Sequence, residues 1–182
     1  MEIFTENIGK IGEKALRKSI GEYIQHIKSG GFEIRLENDF IQSSTISINL
    51  DCEKYLTISN DWADTPIEYT NYYFLKVRIE KKPVNIRTEY DEEWGWDVIT
   101  SPHSSISFGA SSLVSEILVF EKNFIGESET VNFDSAILFK REDGIKFLIK
   151  TVDDISGELK IVLEEKHIEK ELEGLTERLK FN

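Results

Sequence analysis

The sequence is poor in cysteine and contains no long apolar run. The single cysteine, Cys52, excludes an intramolecular disulfide, so nothing here favours an oxidising compartment. The first six residues are acidic and polar, where a secretory signal carries bases followed by an apolar stretch. The longest apolar candidate, residues 117–120, is far shorter than the roughly 20 residues of a membrane helix. These absences predict a cytoplasmic protein with no membrane partner.

Basic residues are also scarce. Lysine and arginine number 22 against 34 acids, which gives a net charge of −12. Affinity for nucleic acid depends on neutralising phosphates with lysine and arginine, so a nucleic-acid partner is not expected. The 182 residues are 40% apolar. This composition predicts one globular domain over residues 1–182, with a core that needs no metal or disulfide.

Catalytic motifs are missing as well. Of the three histidines, only His103 lies in a serine-rich segment. Asp97 or Asp134 would have to orient its ring. Ser104 or Ser111 would have to be the nucleophile, and the chain has no G-x-S-x-G elbow. No catalytic residue is assigned on this basis, and a small hydrolase that uses His103 or a pair of carboxylates stays an alternative.

Ligand patterns for metals and cofactors are absent too. The chain contains no C-x-x-C, H-E-x-x-H, EF-hand loop or phosphate-cradling loop. Glu164, His167 and Glu171 share one face of a predicted helix, but a di-metal bundle requires a second such motif with further glutamates. The charges around them are typical of a solvated helix face. We therefore expect neither a metal nor a cofactor.

Hydrophobic spacing divides the chain into helices and strands. Apolar residues recur every three or four positions over 7–28, which predicts an amphipathic N-terminal helix, either continuous or broken near Gly12 or Gly21. They alternate with polar residues in most of 32–163, which predicts a large, mostly antiparallel sheet. A short C-terminal helix over 164–173 and a strand over 176–181 follow. The predicted fold class is α+β.

The first helix has two possible roles. Its apolar face is expected to pack on the sheet, and a homodimer or oligomeric accessory subunit built through this face is the alternative. Residues 1–28 carry a net charge of +1, which leaves −13 on the remaining 154 residues. The acidity therefore belongs to the β-rich part of the chain.

The densest acidic segment is 89–97, where nine residues hold five carboxylates and three aromatic rings. Aromatic anchors bordered by charge are typical of protein interfaces, since the rings supply buried area and the carboxylates select a basic partner. Trp94 and Trp96 share strand parity with Val98, so alternation alone favours packing of both indoles in the core. The interface interpretation requires at least one exposed indole, with Trp62 a further candidate.

In size, acidity, lack of motifs and α+β organisation, the chain resembles the small cytoplasmic immunity proteins with which bacteria neutralise toxins. Many such toxins attack nucleic acid and are basic, so a negative surface accelerates their capture. The resemblance implies a non-catalytic binding protein for a basic protein partner, such as a nuclease toxin. The predicted partner-binding residues are Asp91, Glu92, Glu93, Trp94 and Trp96, followed by Trp62, Asp61 and Asp64.

Overall fold

The structure is a computed structural model that describes residues 1–34, 40–51, 54–153 and 156–182. Cys52 lies outside the described residues. The helices are α1 (Gly9–Ser19) and α2 (Glu165–Leu172). The strands are β1 (Glu2–Glu6), β2 (Tyr23–Ser29), β3 (Glu33–Ile34), β4 (Ile41–Ser43), β5 (Thr45–Asp51), β6 (Lys54–Asp64), β7 (Asn71–Glu80), β8 (Thr88–Asp91), β9 (Trp96–Ile99), β10 (Ser104–Ile125), β11 (Glu129–Arg141), β12 (Lys146–Thr151), β13 (Leu159–Val162) and β14 (Thr176–Phe181).

Most strands join one path of antiparallel neighbours. Their order is β3-β4-β13-β12-β11-β10-β2-β5-β6-β7, while β14 pairs with β10 and β1 pairs in parallel with β11. The strands β8 and β9 form a separate two-stranded hairpin. The prediction of an α+β protein dominated by a large antiparallel sheet is confirmed at this level.

The 22-residue strand β10 joins the two halves of this sheet. Its first part pairs with β2, and from Val114 onward it pairs with β11. Its register with β2 slips between Ser107 and Ser112, where Gly109 has a φ of +78°. A side chain is strained at such a φ, so glycine permits the bulge that bends the strand. One strand thereby serves both halves, and the main core contains side chains from each half.

The alternating apolar residues of the sequence form this main core. Ile48 and Leu56 of the β5–β6 pair are fully buried in it, and so are Phe139 and Phe147, whose rings stack with centroids 4.8 Å apart. The opposite face of β11 and β12 carries a second apolar cluster, which α2 covers through Ile168. The sheet is thus buried on both faces where these two strands lie.

The predicted helix over 7–28 is wrong beyond Ser19. Gly21 adopts a φ of +76°, and its N–H donates to the carbonyl of Val114 at 2.9 Å. From Tyr23 the chain continues as β2, paired with β10. Ile24 and Ile27 fit the spacing of a helical face, but pairing with a distant strand satisfies their backbone groups instead.

Helix α1 packs against β7 on a small-residue face. Ala15 and Leu16 are buried in the main core. A methyl group at Gly12 would lie 3.3 Å from Cβ of Val77, so the absent side chain permits a close approach of helix and strand. At the other end of the chain, α2 and β14 lie where the sequence places a helix over 164–173 and a strand over 176–181.

Candidate functional site

The acidic segment 89–97 forms the β8–β9 hairpin. Asp91 organises its turn, because its carboxylate accepts the backbone N–H groups of Glu93 at 2.9 Å and Trp94 at 3.0 Å. The Asp91 carbonyl accepts the N–H of Gly95 at 2.8 Å, and Gly95 has a φ of +76°. Glycine takes this φ without strain, and the chain then returns as β9. Asp91 therefore has a structural role that its charge alone does not indicate.

Both indoles of the hairpin are exposed. Trp94 has 61% of its surface accessible and Trp96 has 55%, and their ring centroids lie 5.4 Å apart at an interplanar angle of 54°. The interpretation that strand parity buries them in the core is wrong. Trp94 lies in the turn between the strands, where alternation does not apply. Trp96 begins β9, and a two-stranded hairpin carries no third layer to cover its outward face.

The two faces of the hairpin differ in chemistry. Directly opposed residues on antiparallel strands share a face, so the cross-strand register sorts the side chains. The outward face carries Glu89, Asp91, Trp96 and Val98, of which Trp96 also lines the cleft described below. The face turned toward the sheet carries Thr88, Tyr90 and Asp97, all of which line a cleft.

The acidic groups of the hairpin also divide by pairing. Asp97 forms an ion pair with Lys82 at 3.0 Å. Glu89, Glu92 and Glu93 form no ion pair with any residue that the structure describes. Their charges therefore face solvent beside the indoles and are available to a cationic partner.

The second predicted group, on β6, lies apart from the hairpin. Trp62 is 58% exposed, but Asp61 forms an ion pair with Lys76, and Asp64 accepts a hydrogen bond from Asn71 Nδ2 at 2.6 Å. Burial would raise the pKa of Asp61, but hydrogen bonds from Lys76 and the Trp62 N–H lower it below its ordinary value. These carboxylates are already paired within the chain.

Distance along β6 separates this group from the hairpin. Tyr55, near the start of β6, lines the cleft beside the hairpin. Trp62 lies seven positions further on, about 23 Å at about 3.3 Å per residue. An odd number of positions also places the two side chains on opposite faces of the strand. The structure thus brings together Asp91, Glu92, Glu93, Trp94 and Trp96, and it leaves Asp61, Trp62 and Asp64 as a second patch.

Beneath the hairpin lies a cleft of about 310 Å³ that no pattern in the sequence indicates. The sheet contributes Lys54 and Tyr55, and the connection after β7 contributes Lys81 and Lys82. These residues lie far apart in the sequence and match no motif. No local pattern could have linked them, because the chain topology alone brings them together.

The candidate catalytic residues Asp97, Asp134 and His103 each contact a residue outside the proposed catalytic group. The Asp134 carboxylate is fully buried in a bidentate ion pair with Arg178, at 2.7 and 2.6 Å. Asp97 pairs with Lys82. The exposed ring of His103 has its Nδ1 3.4 Å from the carbonyl of Ser101. The carboxylates proposed to orient this histidine therefore have other partners.

Glu164, His167 and Glu171, the possible metal ligands on α2, contact other residues of the chain instead. The Glu171 carboxylate accepts hydrogen bonds from Lys150 at 3.1 Å and Lys160 at 2.7 Å. Burial would raise the pKa of Glu171, but these two hydrogen bonds lower it. His167 Nδ1 lies 3.6 Å from Glu164 Oε2. Within the described ranges, no group of three or more histidine, cysteine, aspartate or glutamate residues is arranged to hold a metal ion.

In the part of the chain that the structure describes, no helix has the length and apolar character needed to cross a membrane. No protein-family model, curated protein sequence or solved structure matches this chain significantly.

Proposed function

We propose that this chain is a non-catalytic binding protein that engages a basic protein partner through the outward face and tip of the β8–β9 hairpin. The observation that carries the proposal is the pair of exposed, contacting indoles, Trp94 and Trp96, beside carboxylates that no described cation neutralises. Exposed aromatic anchors next to unpaired charge are typical of interface centres.

The indoles supply enough area to anchor a partner. A tryptophan buries up to about 250 Å². Since roughly half of each ring is exposed, contact with a partner removes about 250 Å² from water in total. At about 25 cal/mol per Å² this corresponds to an upper bound of about 6 kcal/mol. Each indole is then expected to be a hot spot that costs at least about 2 kcal/mol when truncated to alanine.

The carboxylates supply selectivity and association rate. Glu92 and Glu93 lie in the exposed turn, while Glu89 lies on the outward face. Several negative charges at one projecting tip attract a basic surface over a Debye length of about 10 Å at 0.1 M salt. Such steering raises association rates, and added salt screens it. These features support a basic partner.

The partner that best fits this polarity is a toxin whose own substrate is anionic. A nuclease must be basic to hold phosphates, and an acidic protein that covers it gains both speed and specificity. The net charge of −12 on 182 residues suits this role. We therefore propose a bacterial immunity protein acting in the cytoplasm as the specific form of this function.

Affinity capture from the native lysate, eluted with a salt gradient, identifies the partner. The decisive measurement is surface plasmon resonance between that partner and a Glu92→Lys/Glu93→Lys variant. We expect its association rate to fall about tenfold at low salt and its salt dependence to flatten. Trp94→Ala and Trp96→Ala are expected mainly to accelerate dissociation.

The matched control is Glu127→Lys/Glu173→Lys, which makes the same change in net charge at exposed positions outside the hairpin. If both double variants slow association equally, the effect belongs to overall charge and not to the hairpin. Unchanged binding in the Glu92/Glu93 variant and in both tryptophan variants would remove the hairpin from the interface.

A further inference from the structure

The strand β7 has one edge that no other described strand covers. It is the last strand on the path of antiparallel neighbours, and in the described ranges it pairs only with β6. In an antiparallel pair, alternate residues direct their backbone N–H and C=O groups away from the partner strand. No backbone group elsewhere in the described part of the chain bonds to these groups of β7. An edge of ten residues with unpaired backbone groups is a template for one more strand.

A groove runs along this edge between β7 and α1. Its first part, of about 220 Å³, is lined by Ile11 of the helix and by five consecutive residues of β7, Phe74–Arg78. Successive side chains of a strand point to opposite faces, so a cavity that touches five residues in a row borders the edge of the strand. The second part, of about 270 Å³, also touches Ile11 and continues to Ile79 and Lys18. The groove therefore exposes the free edge of β7 beside the helix.

The helix side of the groove is basic, although the protein has a net charge of −12. Lys14 and Lys18 line its second part, are exposed and lie one helical turn apart. Neither lysine forms an ion pair with another described residue. The one carboxylate in the lining belongs to Glu6, in the first part of the groove. Like charges at the spacing of Lys14 and Lys18 repel each other, so an anionic partner would stabilise them.

Apolar side chains are accessible in the same groove. Ile11 has 76% of its surface exposed, and Ile79 is only partly buried. The basic residues that β7 contributes to the lining, Lys76 and Arg78, each form an ion pair with a carboxylate of the same sheet. The groove thus combines a free strand edge, an apolar surface and two lysines with no carboxylate partner.

We infer that this groove binds an extended, acidic peptide segment of a partner protein, which adds to the free edge of β7 as a further strand. The backbone of the segment pairs with β7, and its carboxylates contact Lys14 and Lys18. In this mode of recognition, backbone hydrogen bonds supply affinity and side-chain contacts supply specificity. About six residues fill the groove, because Phe74–Ile79 spans about 20 Å at about 3.3 Å per residue. A nucleic acid lacks the backbone N–H groups that this edge would pair with.

The test is an amide NMR titration of the full chain at low salt with three synthetic peptides. The first alternates valine with glutamate over about eight residues. The second has lysine in place of each glutamate, and the third has proline in place of the two central valines. Proline lacks the N–H that a strand donates, so the third peptide keeps the charge but loses backbone pairing.

We expect the acidic peptide to bind with a dissociation constant below about 1 mM and to shift amide signals of β7 and α1. The other two peptides are expected to bind at least about tenfold more weakly. No shift at several millimolar acidic peptide, or shifts confined to other elements, would overturn the inference. Equal binding of the proline peptide would refute strand addition, and equal binding of the lysine peptide would refute selection by charge.

Variants assign the binding to this groove. We expect Lys14→Gln/Lys18→Gln to weaken binding of the acidic peptide at least about fivefold, with unchanged circular dichroism. The matched control is Lys166→Gln/Lys170→Gln, which makes the same change at the same spacing at exposed positions of α2. We expect this control to change binding less than about twofold. Equal effects of the two double variants, or no effect of either, would refute the role of the groove lysines.

The inference is independent of the proposed basic partner, because the groove and the β8–β9 hairpin share no residue. Trp94→Ala is expected to weaken binding of the basic partner and to leave binding of the acidic peptide unchanged. Lys14→Gln/Lys18→Gln is expected to do the reverse. Failure of either proposal is therefore distinguishable from failure of the other.

Discussion

The buried ion pair between Asp134 and Arg178 is expected to make a large contribution to the free energy of unfolding. The Asp134 carboxylate has no exposed surface, and it accepts hydrogen bonds from Arg178 Nε and Nη2. It also accepts the backbone N–H of Ile8 at 2.8 Å, directly before α1. One carboxylate thus connects β11, β14 and the start of the first helix. Asp134→Asn removes the charge while nearly keeping the shape.

The expected loss follows from what the substitution leaves behind. Arg178 keeps only 19% of its side chain exposed, and its remaining carboxylate neighbour is Glu13 at 3.5 Å. Removing one partner of a buried pair typically costs about 3–5 kcal/mol. Arg178 keeps partial access to water and its contact with Glu13, so we expect Asp134→Asn to lower the free energy of unfolding by about 3 kcal/mol, the lower end of this range. In a chain of this length that corresponds to a fall in Tm of roughly 6–12 °C.

Urea unfolding followed by circular dichroism measures the change. The control is Lys122→Met, which breaks the exposed ion pair with Asp153 and is expected to cost less than about 1 kcal/mol. We expect the double variant Asp134→Asn/Arg178→Met to be more stable than Asp134→Asn alone, because it removes the uncompensated cation. A loss below about 1 kcal/mol in Asp134→Asn would refute the reasoning.

Two further predictions concern packing and pH. Gly12→Ala is expected to lower the free energy of unfolding by about 1–3 kcal/mol, because the new methyl group would lie 2.7 Å from Cβ of Ile8. An unchanged urea midpoint would contradict this prediction. Lys150 and Lys160 lower the folded-state pKa of Glu171, so its stabilisation is complete above the ordinary value of 4.5 and is lost as pH falls through the lower folded value. Urea midpoints measured between pH 6 and pH 3 should therefore fall less steeply in Glu171→Gln, and parallel curves would contradict the pairing.

Strand alternation was the most informative pattern in the sequence. The alternating residues Ile46 and Ile48 on β5, and Leu56 and Ile58 on β6, are all fully buried. A period of two predicts which residues share a face, and their apolar character predicts that the face is buried. The same pattern misled at Trp94, because this residue lies in the hairpin turn, and at Trp96, because the β8–β9 hairpin has no layer above its outward face.

The N-terminal segment shows why the local spacing of apolar residues could not distinguish a helix from a strand. Ile20, Ile24 and Ile27 fit one helical face, yet the backbone of Gly21 bonds to Val114, more than ninety positions away. The choice between helix and strand depended on a partner that the local sequence does not contain. The β-bulge at Gly109 has the same kind of long-range cause, because it allows β10 to serve both halves of the sheet.

The sequence by itself determined the charge, the acidic segment 89–97 and the strand-rich character, because composition and periodicity are local properties. Only the tertiary structure decided that Trp94 and Trp96 are exposed, that Trp62 belongs to a separate patch and that a lysine-lined cleft lies beneath the hairpin. The physical reason is that exposure and the convergence of distant residues depend on long-range backbone pairing and on which faces another layer covers.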